Sequence, residues 1–333
     1  MPLITLRHAL DAARDGGYAI GAFNVSDLIQ AEAVLDAAEL TDSPVIVETL
    51  AGVSSHGEDA RYWSGLLHLI GTYPDLPVVL HLDHGPDATT CRRAVDHGFS
   101  SVMIDGSLGS DGRPSSFEAN VEVTAEVVEY AHAAGVSVEG ELGTIGGSKV
   151  DGSRAEIVLA DPEQAREFVD RTGVDALAVA IGTSHGAYKF DTPPDGSVLH
   201  MDLIRRIAER VPGTHLVMHG SSSLPADLRE QNNRFGASLP QSWGVPDEEK
   251  ERSVSMGVRK INQGMDSHLA FTGAVREALA RDGLSVDPAQ YLGQGRQAMQ
   301  DLVAVRMRLF GQAGRADDLR NASPAPATAG GAR

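Results

Sequence analysis

Residues 78 to 85 read Val78-Val-Leu-His-Leu-Asp-His-Gly85. The run opens on β-branched apolar residues, as a buried strand does, and breaks at a glycine. An acid and a histidine, Asp83 and His84, stand at the break. Working outward, short apolar runs of this kind recur at Tyr18–Phe23, Pro44–Glu48, Ser101–Asp105, Val136–Glu141, Ala176–Ile181, His215–His219 and Val258–Asn262, which makes eight in all. Each is bounded by Gly, Pro, Asp or Asn. Helical spacing fills the intervals. Ser26 to Glu39 has a Ser at its start, read as the cap, and an apolar stripe of Leu28, Ala31, Val34, Leu35 and Ala38. Glu118 to Ala134 repeats the pattern, Asp161-Pro162 opens another helix, and Asp266–Ala280 and Asp287–Phe310 supply the last two.

Strands alternating with helices in this number predict an α/β fold, a (β/α)8 TIM barrel in one domain over residues 1–321 with extra C-terminal helices. A doubly wound open sheet is the alternative. Against it, the first run ends Phe23-Asn24-Val25 with no Gly-x-Gly-x-x-Gly behind it.

The 333 residues are 42% hydrophobic and 22% charged, enough for a sizeable core. The formal net charge of -18 disfavours nucleic acid and anionic membranes as partners. A single cysteine, Cys91, excludes an internal disulfide and a Cys-rich zinc site, so any metal must rest on His and carboxylates. The N-terminus lacks the basic and apolar regions of a signal peptide, and the longest apolar stretches are far shorter than the ~18–20 residues of a membrane helix, so a cytoplasmic location is expected. Residues 322–333 are Ala, Pro, Gly, Ser and Thr closed by one Arg and read as a disordered tail.

In a barrel, chemistry collects where strands end. Here those ends are Asp83-His84-Gly85, Asp105-Gly106-Ser107, Glu139-Gly140-Glu141, Gly182-Thr-Ser-His185-Gly186, His219-Gly-Ser-Ser-Ser223 and Asn262-Gln263-Gly264. Of twelve histidines, His84, His185 and His219 share this position on the third, sixth and seventh strands. Three imidazoles with one open position suit a catalytic Zn2+, which polarises a carbonyl or stabilises an enolate. Asp83 can exchange a proton with a substrate hydroxyl. Asp105 and Glu141 can orient the histidines or offer another metal position. The loops Gly182–Lys189 and His219–Pro225 carry glycine amides, serine hydroxyls and Lys189, which suit an anion such as phosphate. These residues point to a zinc barrel enzyme for a phosphorylated carbonyl compound. Aldol chemistry, isomerisation and zinc hydrolysis all remain open at this point.

The same residues resemble those of class II, metal-dependent fructose-bisphosphate aldolases. The resemblance runs from Leu6 to about Ala313 through Gly21-Ala-Phe-Asn-Val25, His81-Leu-Asp-His-Gly85, Ser101-Val-Met-Ile-Asp-Gly-Ser107, Val138-Glu-Gly-Glu-Leu-Gly143, Ala178–Phe190, His219-Gly-Ser-Ser-Ser223 and Gly257-Val-Arg-Lys-Ile-Asn262. It implies reversible cleavage of a ketose bisphosphate to dihydroxyacetone phosphate and an aldehyde. It also implies His84, His185 and His219 as zinc ligands, Asp83 as the acid at the C4 oxygen, and Asp105 and Glu141 at a second metal position. Gly186, Lys189, Gly220, Ser222 and Asn262 match positions around dihydroxyacetone phosphate, with Asn24, Ser221 and Asp266 counted to the same substrate and phosphate site. A monovalent cation near the phosphate and a homodimer or homotetramer are further implications.

The chain departs from the family pattern on the substrate side. Leu50 stands where a Ser is usual near the aldehyde. Ser148-Lys149-Val150 replaces an acidic pair after Gly146-Gly147, which leaves Asp151 as the nearest proton shuttle. Gly264 and Met265 precede a retained Asp266, and Gly293 replaces a basic residue, with Arg296 one turn on. The stretch Gly109–Ser115 is longer than usual. An ordinary fructose 1,6-bisphosphate aldolase is therefore weighed against a paralogue for another aldehyde, a zinc sugar-phosphate isomerase or epimerase, and a non-catalytic sugar-phosphate binder.

Overall fold

The computed structural model describes residues 3–50, 59–109, 113–145, 157–185, 190 and 192–320. Eight parallel strands close on themselves in sequence order. They are β1 (Ile20–Asn24), β2 (Val45–Leu50), β3 (Val78–Gly85), β4 (Ser101–Ile104), β5 (Ser137–Leu142), β6 (Ala176–Val179), β7 (His215–Met218) and β8 (Val258–Gln263). The last strand returns to the first through Ala22↔Asn262 and Phe23↔Gln263. Among the described residues the helices are α1 (Leu6–Gly16), α2 (Leu28–Leu40), α3 (Ala60–Gly71), α4 (Ala88–His97), α5 (Phe117–Ala133), α6 (Pro162–Thr172), α7 (Met201–Arg210), α8 (Ala226–Arg234), α9 (Asp247–Met256), α10 (Met265–Arg281), α11 (Pro288–Leu309) and α12 (Asp317–Arg320).

The outer ring runs from α2 to α7, then through α9 to α11, which packs along α2 and reaches β1. Of the two long C-terminal helices, α11 therefore fills the eighth place of the ring, and α10 lies outside it against α8 and α11. Arg306 of α11 ties the ring to α9 by a 2.6 Å ion pair with Asp247.

Helix starts follow local chemistry. Asp161 caps α6, accepting from the amides of Glu163 and Gln164, with Pro162 in the first turn. At α2 the cap is Asp27, which accepts from Gln30 N, and not the expected Ser26. The Ser26 amide instead donates to the Gln30 side chain at 2.9 Å, so the two ends of the turn close reciprocally.

Strand side chains alternate between two cores. Val47, Leu80, Leu82, Val102, Val138, Leu177, Val179, Leu216 and Ile261 face the helices. Ile20, Ala22, Ile46, Val79, Met103, Ala176, Ala178 and Val217 fill the barrel from inside. Helix α1 adds Leu6, Ala9, Leu10 and Ala13 to that inner core and so plugs the amino-terminal mouth. Among the described residues no helix is long and apolar enough to cross a membrane.

Candidate active site

The alternation that fills the lower barrel with Ile46 and Val79 changes character two residues further along each strand. The next inward tier is Glu48, His81, Glu139 and Lys260, each with no exposed surface. Two residues beyond lie Asp83, Glu141 and Asn262, with Asn24 on β1 and His219 just past β7. The site is thus the open end of one continuous interior.

Here the three histidines meet. The His84 ring centroid lies 5.0 Å from that of His185 and 4.8 Å from that of His219, and His185 and His219 are 5.7 Å apart. One ligand nitrogen of each lies within 4.8 Å of the others. Two of them are aimed by a carboxylate behind the ring. His84 Nδ1 is 3.0 Å from Asp105 Oδ2, which leaves Nε2 for the centre. His219 Nε2 is 2.7 Å from Glu139 Oε1, which leaves Nδ1. Those two inward nitrogens are 3.0 Å apart. Nitrogens sharing one ion at about 2.0–2.1 Å each stand only a little further apart than this. The donor set, three imidazoles with carboxylates behind two of them, fits a divalent metal ion. His84 also belongs to a second ligand group with Asp105 and Glu141.

Backbone geometry serves the same end. His84 has φ +47, a left-handed conformation, where the register between β3 and β4 shifts. Gly220, at φ +62, lies so close to the sixth-strand loop that a β-carbon there would stand 2.6 Å from Ser184 O.

Burial and charge set the protonation states. Burial works to lower His84, but Asp83, Asp105 and Glu141 outweigh it and raise it to about 10. Burial and the charge of His84 hold His219 well below the usual imidazole range. Burial would raise Asp83, but His84, His219, Lys260 and the Asn24 amide keep it below the ordinary carboxylate range. Glu141 is pushed well up by burial and by Asp105. Asp83 is therefore a buried, ionised carboxylate beside a metal-type tripod. Asn24 Nδ2 holds its Oδ2 at 2.8 Å, and Asn262 Nδ2 its Oδ1 at 3.3 Å.

The family model of class-II fructose-bisphosphate aldolases matches residues 4–315. The chain belongs to this aldolase family. It is 46% identical to "Fructose-bisphosphate aldolase, plasmid" of Cupriavidus necator over 333 residues, 96% of each chain. It is equally identical, 46%, to the fructose-bisphosphate aldolase of Pseudomonas aeruginosa, covering 96% of this chain and 94% of that one. The crystal structure of the YdjI aldolase from Escherichia coli K12 superposes with a TM-score of 0.73 at 29% identity, covering 94% of this chain and 99% of that one. Class II aldolases are metal-dependent, in keeping with the tripod.

Against this family background the other site residues divide. Asn24 and Asn262 hold Asp83, as above. Ser221 is buried and linked to the Asn262 carbonyl and, at 2.7 Å, to Gln263 Nε2, so its hydroxyl joins β7 to β8. Ser222 is 5% exposed beside it. Asp266 is engaged with its own scaffold: its oxygens take the amides of Ser223 and Leu224, both at 2.9 Å, and Arg306 at 3.1 Å. It shapes the seventh-strand loop from beneath. Gly186, Lys189 and Asp151 lie outside the described residues, as does Lys149.

Several residues were missed in the sequence. Ser107 donates to Asp105 at 2.7 Å and to Glu141 at 3.2 Å, and Asn120 holds the Glu141 carbonyl at 2.8 Å. Glu48, His81, Glu139 and Lys260 form the tier below. Their signal was available, since His81, Glu139 and Lys260 each stand two residues before a site residue and so on the same strand face.

Proposed function

We propose that the chain reversibly cleaves fructose 1,6-bisphosphate into dihydroxyacetone phosphate and glyceraldehyde 3-phosphate with zinc at the tripod. The observation that carries this reading is the juxtaposition of His84, His185 and His219 with an ionised Asp83 held by amides from β1 and β8. Zinc, when bound, supplies Lewis-acid polarisation of the ketose carbonyl. Asp83 takes the proton from the C4 hydroxyl as the C3–C4 bond breaks and returns it in the aldol direction. Asn24 and Asn262 keep that carboxylate oriented. Gly220, Ser222, Gly186 and Lys189 bind the dihydroxyacetone phosphate end, with a monovalent cation beside the phosphate, and Asp151 moves the C3 proton. Assembly as a homodimer or homotetramer belongs to the same reading, and sedimentation of the purified chain tests it.

A second reading, a specialised aldolase for a different and uncharged aldehyde, has its own support. Leu50 pairs in register with Asp83, so an apolar residue stands beside the proton carrier. Arg296 is committed to Asp36 and, at 3.3 Å, to Glu32, so in this fold it does not replace the missing distal cation.

Turnover of fructose 1,6-bisphosphate by metal-replete protein, with triose phosphate as the product assayed, separates the readings. Ordinary turnover supports the first. Weak cleavage with faster aldol addition to an uncharged aldehyde supports the second. A rearranged hexose phosphate without triose phosphate would make the protein an isomerase or epimerase. No tritium exchange at C3 of dihydroxyacetone phosphate would leave a binder.

A further inference from the structure

The tier beneath the site is unusual for a barrel, whose interior layers are built mainly from Val, Ile and Leu. Glu48, His81, Glu139 and Lys260 come from β2, β3, β5 and β8 and are fully buried. Lys260 Nζ lies 2.7 Å from Glu48 Oε1 and 2.9 Å from Glu139 Oε2. The second oxygen of Glu139 reaches up to His219 Nε2 at 2.7 Å. His81 closes the side, its Nδ1 2.7 Å from Ser101 Oγ and its Nε2 3.7 Å from Glu139. Glu48, His81 and Asp83 are spaced like ligands of a second metal ion, but the Lys260 ammonium stands against Glu48 and supplies the cation there.

This string has a direction. Glu139 Oε1 accepts from His219 Nε2, so the lone pair of Nδ1 faces the tripod. Glu139 keeps this aim only while its other oxygen is fixed. Lys260 is the cation in contact with it, and Glu48 anchors Lys260 from the other side.

We propose that Lys260 and Glu48 are positioning residues that keep Glu139 aimed at His219, and so set the affinity of the metal site without touching metal or substrate. This rests on the metal reading of the tripod. Co2+ is the probe, because its visible spectrum reports the ligand field directly. Its dissociation constant, by chelator competition, and its spectrum are measured for the wild type, Glu139→Gln, Lys260→Met, and the Lys260→Met/Glu48→Gln double variant. The double variant removes the ammonium together with the carboxyl that anchors it, and keeps the test open if Lys260→Met alone fails to fold. Leu10→Ala, a change in the apolar plug far from the string, controls for loss of stability alone.

The expected result is Co2+ binding weakened about 10–100-fold in all three string variants, with a shifted spectrum, and unchanged binding in Leu10→Ala. A folded Lys260→Met or double variant with Co2+ affinity within about twofold of wild type and the same spectrum would overturn the inference. Equal weakening in Leu10→Ala would overturn it too, by tracing the effect to stability. Wild-type protein that takes up no Co2+ would sink the metal reading along with it.

Discussion

The two ends of the barrel interior are built by the same strands and differ in almost everything else. Near the amino-terminal mouth the inward residues are Ile20, Ile46, Val79, Met103 and Val217, closed from below by Leu6 and Leu10 of α1. One pleat higher they are Glu48, His81, Glu139 and Lys260, and one higher still Asp83, Glu141 and Asn262. The lower interior gains by leaving water; the upper interior loses by it and is held by paired charges. Burial and Asp83 push Glu48 up to about 8 even against Lys260, which shows how strained charge is there. Stability is thus concentrated at one end of each strand and chemistry at the other, as barrels generally divide them.

The division can be broken from either side. The largest effect belongs at the top. Asp83→Ala should lower turnover by about 10²–10⁴-fold while the metal content stays as in wild type, since a proton carrier is lost and the tripod is kept. Steady-state rates with metal analysis check this, and full activity would remove Asp83 from the chemistry. At the bottom, Leu10→Ala should cost about 2–5 kcal/mol in denaturant unfolding with kcat unchanged. A large fall in kcat there would mean that the two ends are not separable.

What the sequence disclosed follows the same line. All eight strands were legible because β-branched runs between turn residues have few other uses, and His84, His185 and His219 stood out by sharing one topological position. The plug formed by α1 was not, although Leu6, Ala9, Leu10 and Ala13 have helical spacing, because nothing local says that a helix before the first strand closes the barrel. Glu48 and Lys260 were missed, and Glu139 was read only as part of a polar strand end, because a charge within an apolar run suggests a solvent-facing edge; only closure of the barrel brings three strands' charges together. Asp266 was legible as a site candidate, but its protein partners were not, since a carboxylate at a helix start gives no sign of which amides will approach it.

Between the two ends lies the seventh-strand loop, with Asp266 beneath it. Asp266→Asn keeps the size but weakens charge-assisted bonds to the Ser223 and Leu224 amides and to Arg306. A loss of roughly 1–3 kcal/mol is expected. If it falls on loop placement, KM for the phosphorylated substrate rises more than kcat falls. An unchanged KM alongside lowered stability would assign Asp266 to the scaffold alone.

The smallest effect is at the amino-terminal end, where polar contacts surround the apolar plug. His132 at the end of α5 lies 2.9 Å from Asp175 Oδ2, and Arg7 of α1 lies 3.3 Å from Oδ1. The hydrogen bond from His132 to Asp175 raises His132 against partial burial, with Arg7 also opposing. Burial would raise Asp175, but His132, the Val138 amide and Arg7 bring it below the usual range. The signs follow. A raised histidine stabilises fully below its unfolded pKa near 6.5 and loses that contribution as pH rises through its folded value. A depressed aspartate stabilises above its unfolded pKa near 3.9 and loses that as pH falls through its folded value. The pair is therefore worth most between about pH 4 and 6.5. The melting temperature of wild type should exceed that of His132→Gln most in this window, and the gap should narrow toward pH 9. His132 is 41% exposed, so the difference is small and screened by salt. A gap that stays flat from pH 5 to 9 would mean that His132 acts by packing against the plug, and the lower end would then owe nothing to charge at this contact.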